Sequence, residues 1–164
     1  MNGAQKRRTL LAVTLVSLLV WAGWHGFLWY AERTAQTWYG TWQATGVEPQ
    51  SGERYVCTMA LAPYQRLNAR EFAVRCEFGV VYRDPAVRIA EVEPLPAVIR
   101  GDTLYLPPQT KDGRGDLTRL GSKGADEIIS IRHFRFHKIS AEVLPEAALI
   151  TRSLDSARTL PARE

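Results

Sequence analysis

The stretch Glu71–Arg83, EFAVRCEFGVVYR, decides the fold. Phe72, Val74, Cys76, Phe78, Val80 and Tyr82 fall on one side of an extended chain, whereas Glu71, Ala73, Arg75, Glu77, Gly79 and Arg83 form a mostly polar opposite side. That period of two is the signature of a half-buried β-strand. Toward the N-terminus, Arg54–Ala62 places Tyr55, Cys57, Met59 and Leu61 on one side before Pro63 ends the run, so the two strands can pair as a hairpin.

Toward the C-terminus the pattern predicts strands over Ala86–Val92, Ala97–Arg100 and Thr103–Leu106, the last two joined by Arg100-Gly101-Asp102 as a tight turn. Gln109–Gly124 is rich in Gly and charge and reads as a long loop or a mobile hairpin tip. Glu127–Ser140 alternates again, with Ile129, Ile131, His133, Arg135, His137 and Ile139 on one face. A short helix is expected from Pro145 to about Arg158, with Ala148, Leu149 and Leu154 turned inward. No βαβ alternation occurs, so the strands are expected to build an antiparallel sheet.

Upstream, residues 9–31 read TLLAVTLVSLLVWAGWHGFLWYA, with no Asp, Glu, Lys or Arg. At helical rise they extend roughly 33 Å, enough to cross a bilayer core. A cleaved signal peptide is the rival, but the apolar run exceeds the usual signal core and ends in aromatics rather than in a small-x-small cleavage site. Trp21, Trp24, Trp29 and Tyr30 suit a membrane-interface belt, and Lys6, Arg7 and Arg8 put residues 1–8 on the cytoplasmic side. His25 reads as an interfacial histidine, because no second ligand sits at helical spacing. Ala22 and Gly26, with Gly23 beside them, form a small-residue face that another helix can approach closely. Residues 32–45 are expected to prolong the helix up to a cap at Gly46, with Trp38 and Trp42 one turn apart, either packed on the domain or lying on the headgroups.

The fold class expected is thus an N-terminal transmembrane α-helix, a mainly antiparallel β domain over 46–158 in the form of a small sandwich or partial barrel, a short C-terminal helix and a frayed tail at 159–164. Lys6, Arg7 and Arg8 supply three of the net +4 charges, so the domain is nearly neutral and offers no basic face for nucleic acid.

Cys57 and Cys76 are the only cysteines. Both belong to inward faces, and an extracytoplasmic location favours a disulfide between them over two free buried thiols. His133, Arg135 and His137 form a strip suited to an anionic partner; strand geometry puts the two histidines roughly 13 Å apart, too far for one metal ion. The two Arg-Gly-Asp tripeptides, at Arg100–Asp102 and Arg114–Asp116, read as turns. No nucleophile elbow, phosphate loop, H-E-x-x-H helix, C-x-x-C or other cofactor motif is present, so enzyme is the weaker class. The expectation is a single-pass accessory or assembly subunit in a bacterial-type inner membrane. Its domain would be periplasmic and its partners other inner-membrane or periplasmic proteins. A membrane-anchored lipid or envelope-component carrier with an apolar groove is the alternative.

Overall fold

The computed structural model describes residues 3–83, 86–90, 92–107, 116–124, 129–131 and 134–160, with side chains in the first helix from Leu10 onward. The elements are α1 (Gly3–Gln36), β1 (Gly40–Val47), β2 (Arg54–Arg66), β3 (Glu71–Tyr82), β4 (Arg88–Ala90), β5 (Leu95–Arg100), β6 (Thr103–Leu106), β7 (Thr118–Lys123), β8 (Ile129–Ile131), β9 (Phe134–Ser140) and α2 (Glu146–Thr159).

Every strand pairing is antiparallel, and β9 returns to pair with β1. The result is a closed eight-stranded barrel rather than a sandwich, with β4 as an extra strand. The long strand β3 makes this possible by dividing one edge between two neighbours: Glu71–Cys76 pair with β5, and Val80–Tyr82 pair with β4. Closure removes the open edges that would otherwise invite pairing between molecules.

A barrel of eight strands has an interior just wide enough for side chains to fill. Here it is filled. The alternating face of β3 (Phe72, Val74, Cys76, Val80) and that of β2 (Tyr55, Cys57, Met59, Leu61) point inward as their spacing requires, and Trp42, Ile99, Leu104, Ile129 and Phe136 complete the core. Phe78 and Tyr82 pack against it, half-buried. The outward residues Val56, Thr58 and Ala60 of β2 and Val81 of β3 are buried too, because α2 lies across them; Val56 and Val81 pack with Ala157, Leu154 and Leu160.

Gly79 lets α2 come this close, since a Cβ there would lie 2.5 Å from the Leu149 carbonyl carbon. Ser153 fastens the helix by donating to the Gly79 carbonyl at 2.6 Å, while its Oγ accepts from the Thr58 N–H at 3.1 Å. Arg83 donates to the carbonyls of Ala157 and Leu160, placing a cation where the helix dipole favours one.

Several expectations are corrected. The helix does not continue to residue 45: α1 ends at Gln36, Trp38 lies in the turn, and Trp42 is in β1. Gly40, at φ 126°, turns the chain into the strand, and any Cβ there would strike the Ser140 carbonyl oxygen at 2.4 Å. The barrel therefore begins before residue 46. Strand β2 runs past Pro63, which sits beside a register shift against β3 where the missing N–H is tolerated. The strand expected over Ala86–Val92 is only three residues long, and the loop expected over Gln109–Gly124 contains β7.

Glu127–Ser140 is two strands, not one. Cross-strand partners Ile129↔Phe136 and Ile131↔Phe134 show a hairpin that reverses the facing. Ile129 and Ile131 point into the barrel, and Arg135 and His137 point out to solvent. His133, Arg114 and Gly115 lie outside the described residues.

The expected Cys57–Cys76 bridge is absent, and register explains why. Cys57 pairs with Val80, whereas Cys76 pairs with Leu61, four residues along β2. Four residues of strand amount to roughly 13 Å, about twice the Cα separation that a disulfide allows.

Candidate functional site

The chemistry-bearing end of the molecule is the rim where α1 enters the barrel. Over Leu10–Gln36, α1 is long and apolar enough to cross a membrane. Most of its large side chains are exposed, from Leu10 at 71% to Tyr30 at 65%, and no described residue covers them; Phe27 and Leu28 are half-buried. A helix apolar all round without protein cover is the pattern of a membrane anchor or of a signal sequence. Trp21, Trp24, Trp29 and Tyr30 are all exposed on it, as an interfacial belt requires. His25 packs against Trp21 with the rings tilted by 52° and their centroids 4.3 Å apart.

Ala22, Gly23 and Gly26 lie in the same segment. A Cβ on Gly23 or Gly26 would meet nothing within 4 Å, so neither glycine serves a close approach inside this chain. At Gly40, Gly46, Gly79 and Gly121 a Cβ would meet other atoms at under 3.0 Å, and Gly52 and Gly101, though equally open, serve turns at φ 70° and 60°; Gly23 and Gly26 answer to neither demand.

Past this segment, at its C-terminal end, the helix plugs the barrel. Ala35 and Trp38 are buried in the core, and the Trp38 indole donates to the Gly101 carbonyl at 3.1 Å. Trp42 donates in turn to the Trp38 carbonyl at 2.9 Å. The end of the helix is held by two cations: Lys138 donates to the Thr37 carbonyl at 3.0 Å and Lys123 to the Thr37 hydroxyl at 2.8 Å. Positive charge here complements the negative helix terminus. Of the two places expected for Trp38 and Trp42, the headgroup interface or the domain, the structure has the second: both are core residues that join α1 to the barrel.

A cleft of about 280 Å³ opens beside the joint. Phe27, Tyr30, Ala31 and Thr34 of α1 form one wall; Arg70 and Phe72 from the β2–β3 hairpin and Ile99 to Gly101 from the β5–β6 turn form the others. Arg70 lies over the Phe27 ring at 5.3 Å. Arg100 pairs with Glu71, and this hydrogen bond holds the Glu71 carboxyl below the usual glutamate range. Arg100-Gly101-Asp102 forms the expected tight turn, with Gly101 at φ 60°. Sequence reading did not single out Phe27, Arg70 or Lys138, because only docking of the hairpin and β9 against α1 brings them together.

Elsewhere the polar groups are structural. Gln43 donates to Thr58 at 3.2 Å and to Ser156 at 3.0 Å, and Thr58 Oγ1 lies 2.6 Å from Ser153 Oγ. None of these partners is a base that would activate a hydroxyl. Among the described residues no group of three or more His, Cys, Asp or Glu is placed to hold a metal ion. Burial pushes both the Cys57 and Cys76 thiols up to about 12, which keeps them protonated and weakly nucleophilic. Folded protein is accordingly expected to resist alkylation at both positions, and protein unfolded without reductant should take up reagent at both. A mass lower by two hydrogens, with no uptake after unfolding, would instead show the thiols joined.

Compared with protein-family models, with characterised proteins and with solved structures, the chain gives no match.

Proposed function

We propose that the chain is a bitopic accessory or assembly subunit of a cell-envelope complex in a bacterial-type inner membrane. Its N-terminus is cytoplasmic, and its barrel stands in the periplasm. The observation that carries this reading is the uncovered α1 with its unused glycine face at Gly23 and Gly26, joined firmly to a barrel whose interior is already full. The protein offers surfaces rather than a chamber.

Retention of α1 is supported by its continuity with the core, since removal of the segment through Ala35 would withdraw part of the barrel's plug. Lys6, Arg7 and Arg8 orient the helix by the positive-inside rule. The carrier alternative needs an apolar groove, and the space it would use is taken by Trp42, Met59, Leu61, Ile99 and Phe136, each no more than 1% exposed.

The full chain, extracted in mild detergent, is expected to co-purify with a stoichiometric membrane companion. Replacement of Gly26 by isoleucine, which leaves the barrel untouched, should reduce that companion roughly five- to thirty-fold, corresponding to a helix contact of about 1–2 kcal/mol. A lone monomer from wild-type membranes would overturn the proposal.

A further inference from the structure

The β2–β3 hairpin does more than close the barrel: its tip runs back along α1. Arg70, at that tip, stacks on Phe27, which lies nine residues before the end of the helix at Gln36 and inside the apolar segment. At helical rise this places Arg70 roughly 13 Å below the joint, level with the aromatic belt of Trp24, Trp29 and Tyr30. On the same hairpin Tyr64 is 78% and Leu67 49% exposed, two side chains that have no cover in the chain and that suit the interface between headgroup and acyl chain. Arg70 itself is exposed, and among the described residues no carboxylate pairs with its guanidinium, whereas Arg100 across the cleft is neutralised by Glu71. An arginine at this depth is costly unless an anion meets it, and a guanidinium fork fits the oxygens of a phosphate.

We propose that the cleft between α1 and the β2–β3 hairpin seats one anionic phospholipid of the leaflet from which the helix emerges. Its phosphate binds Arg70, and its glycerol and upper acyl chain lie along Phe27 and Ala31. The hairpin is then a second foot on the membrane, with Tyr64 and Leu67 dipping into the interface beside it. The seat fixes how the barrel leans and which of its faces meets a partner. It rests on the reading of α1 as a membrane anchor.

The test uses the full chain in mixed micelles titrated with phosphatidylglycerol or phosphatidylcholine, bound lipids being counted by native mass spectrometry. One phosphatidylglycerol is expected to be retained about five-fold more strongly than phosphatidylcholine, in keeping with one arginine at an anionic surface. Arg70→Gln should abolish the preference, and Arg152→Gln, on the exposed face of α2, should keep it. Thermal melts of both variants should match wild type, because each replaced side chain is exposed. Equal retention of the two lipids, or an undiminished preference in Arg70→Gln, would overturn the seat. Alkaline extraction of native membranes separates the two levels. A chain that stays in the pellet but shows no lipid preference refutes the seat alone, whereas a chain released to the supernatant refutes the anchor and the seat with it.

Discussion

Trp42→Ala is expected to destabilise the barrel by about 3–5 kcal/mol, the range for truncating a large buried aromatic. Trp42 is 0% exposed, donates to the Trp38 carbonyl at 2.9 Å and lies under the Lys138 ammonium at 5.3 Å. Its strand, β1, also closes the barrel, because β1 pairs with β2 on one side and β9 on the other. The truncation therefore opens a cavity at the seam and loosens the turn that connects α1 to the barrel. Thermal unfolding of the full chain in detergent, followed by circular dichroism, should show a midpoint lower by roughly 10–20 °C. Trp21→Ala, on the exposed surface of α1, should leave the midpoint nearly unchanged. A Trp42→Ala melt within a few degrees of wild type would mean that this indole is not in the interior, and the expected helix through residue 45 would regain its standing.

The Trp38–Trp42 pair also shows what the sequence could and could not convey. A spacing of four residues is one turn of helix, but it is also an even number, so in an extended chain both side chains fall on one face. Trp38, Trp42 and Ala44 do share the barrel interior. Aromatic spacing alone left the choice between helix and strand open, and the closure of β1 onto β9, a partner distant in sequence, decided it. Where alternation was long and clean, as in Tyr55–Leu61 and Phe72–Tyr82, facing was legible because a one-residue slip would turn every apolar side chain outward.

Alternation fixes facing and leaves register free. Cys57 and Cys76 both face inward as read, yet a four-residue offset separates them, since a slip by any even number preserves the pattern. Similarly, Glu127–Ser140 kept one phase on paper, whereas a tight hairpin reversed it and sent Arg135 and His137 outward, away from Ile129 and Ile131. Strand β7 was hidden among Gly and charged residues. Gly121 belongs there because a Cβ would lie 2.3 Å from the Ser130 carbonyl oxygen, a demand that arises only once β8 is beside it. The long apolar helix was legible, being local, although its end at Gln36 was not. The cleft at Arg70 was not, because neither half of it carries a pattern that refers to the other.

Gly79→Val should detach α2, and with it the cover over the outer face of β2 and β3. A new Cβ at position 79 would sit 2.5 Å from the Leu149 carbonyl carbon and 2.6 Å from the Ile150 nitrogen. Both are backbone atoms of a helix, so no side-chain rotation relieves the clash, and the helix must move away as a unit. Moving it exposes Leu149 and Ala157 together with Val56 and Val81, and it withdraws the Ser153 hydroxyl from the Gly79 carbonyl and the Thr58 N–H. Overpacking a tight site costs about 1–3 kcal/mol, and the loss of buried apolar cover and of a satisfied buried hydroxyl carries the expected total to about 3 kcal/mol or more. Ser153→Ala, which keeps the helix seated but orphans the Thr58 N–H, should cost less, about 1–3 kcal/mol. Hydrogen exchange gives the sharper reading: in Gly79→Val, amides of 146–159 should exchange much faster, while the barrel interior near Met59 and Val74 stays protected until global unfolding. Trypsin should then cut after Arg152 and Arg158, positions that the seated helix protects. Unchanged exchange in α2 together with an unchanged melting midpoint would show that the helix does not rest on Gly79, and the account of α2 as the outer wall of the β2–β3 hairpin would fall.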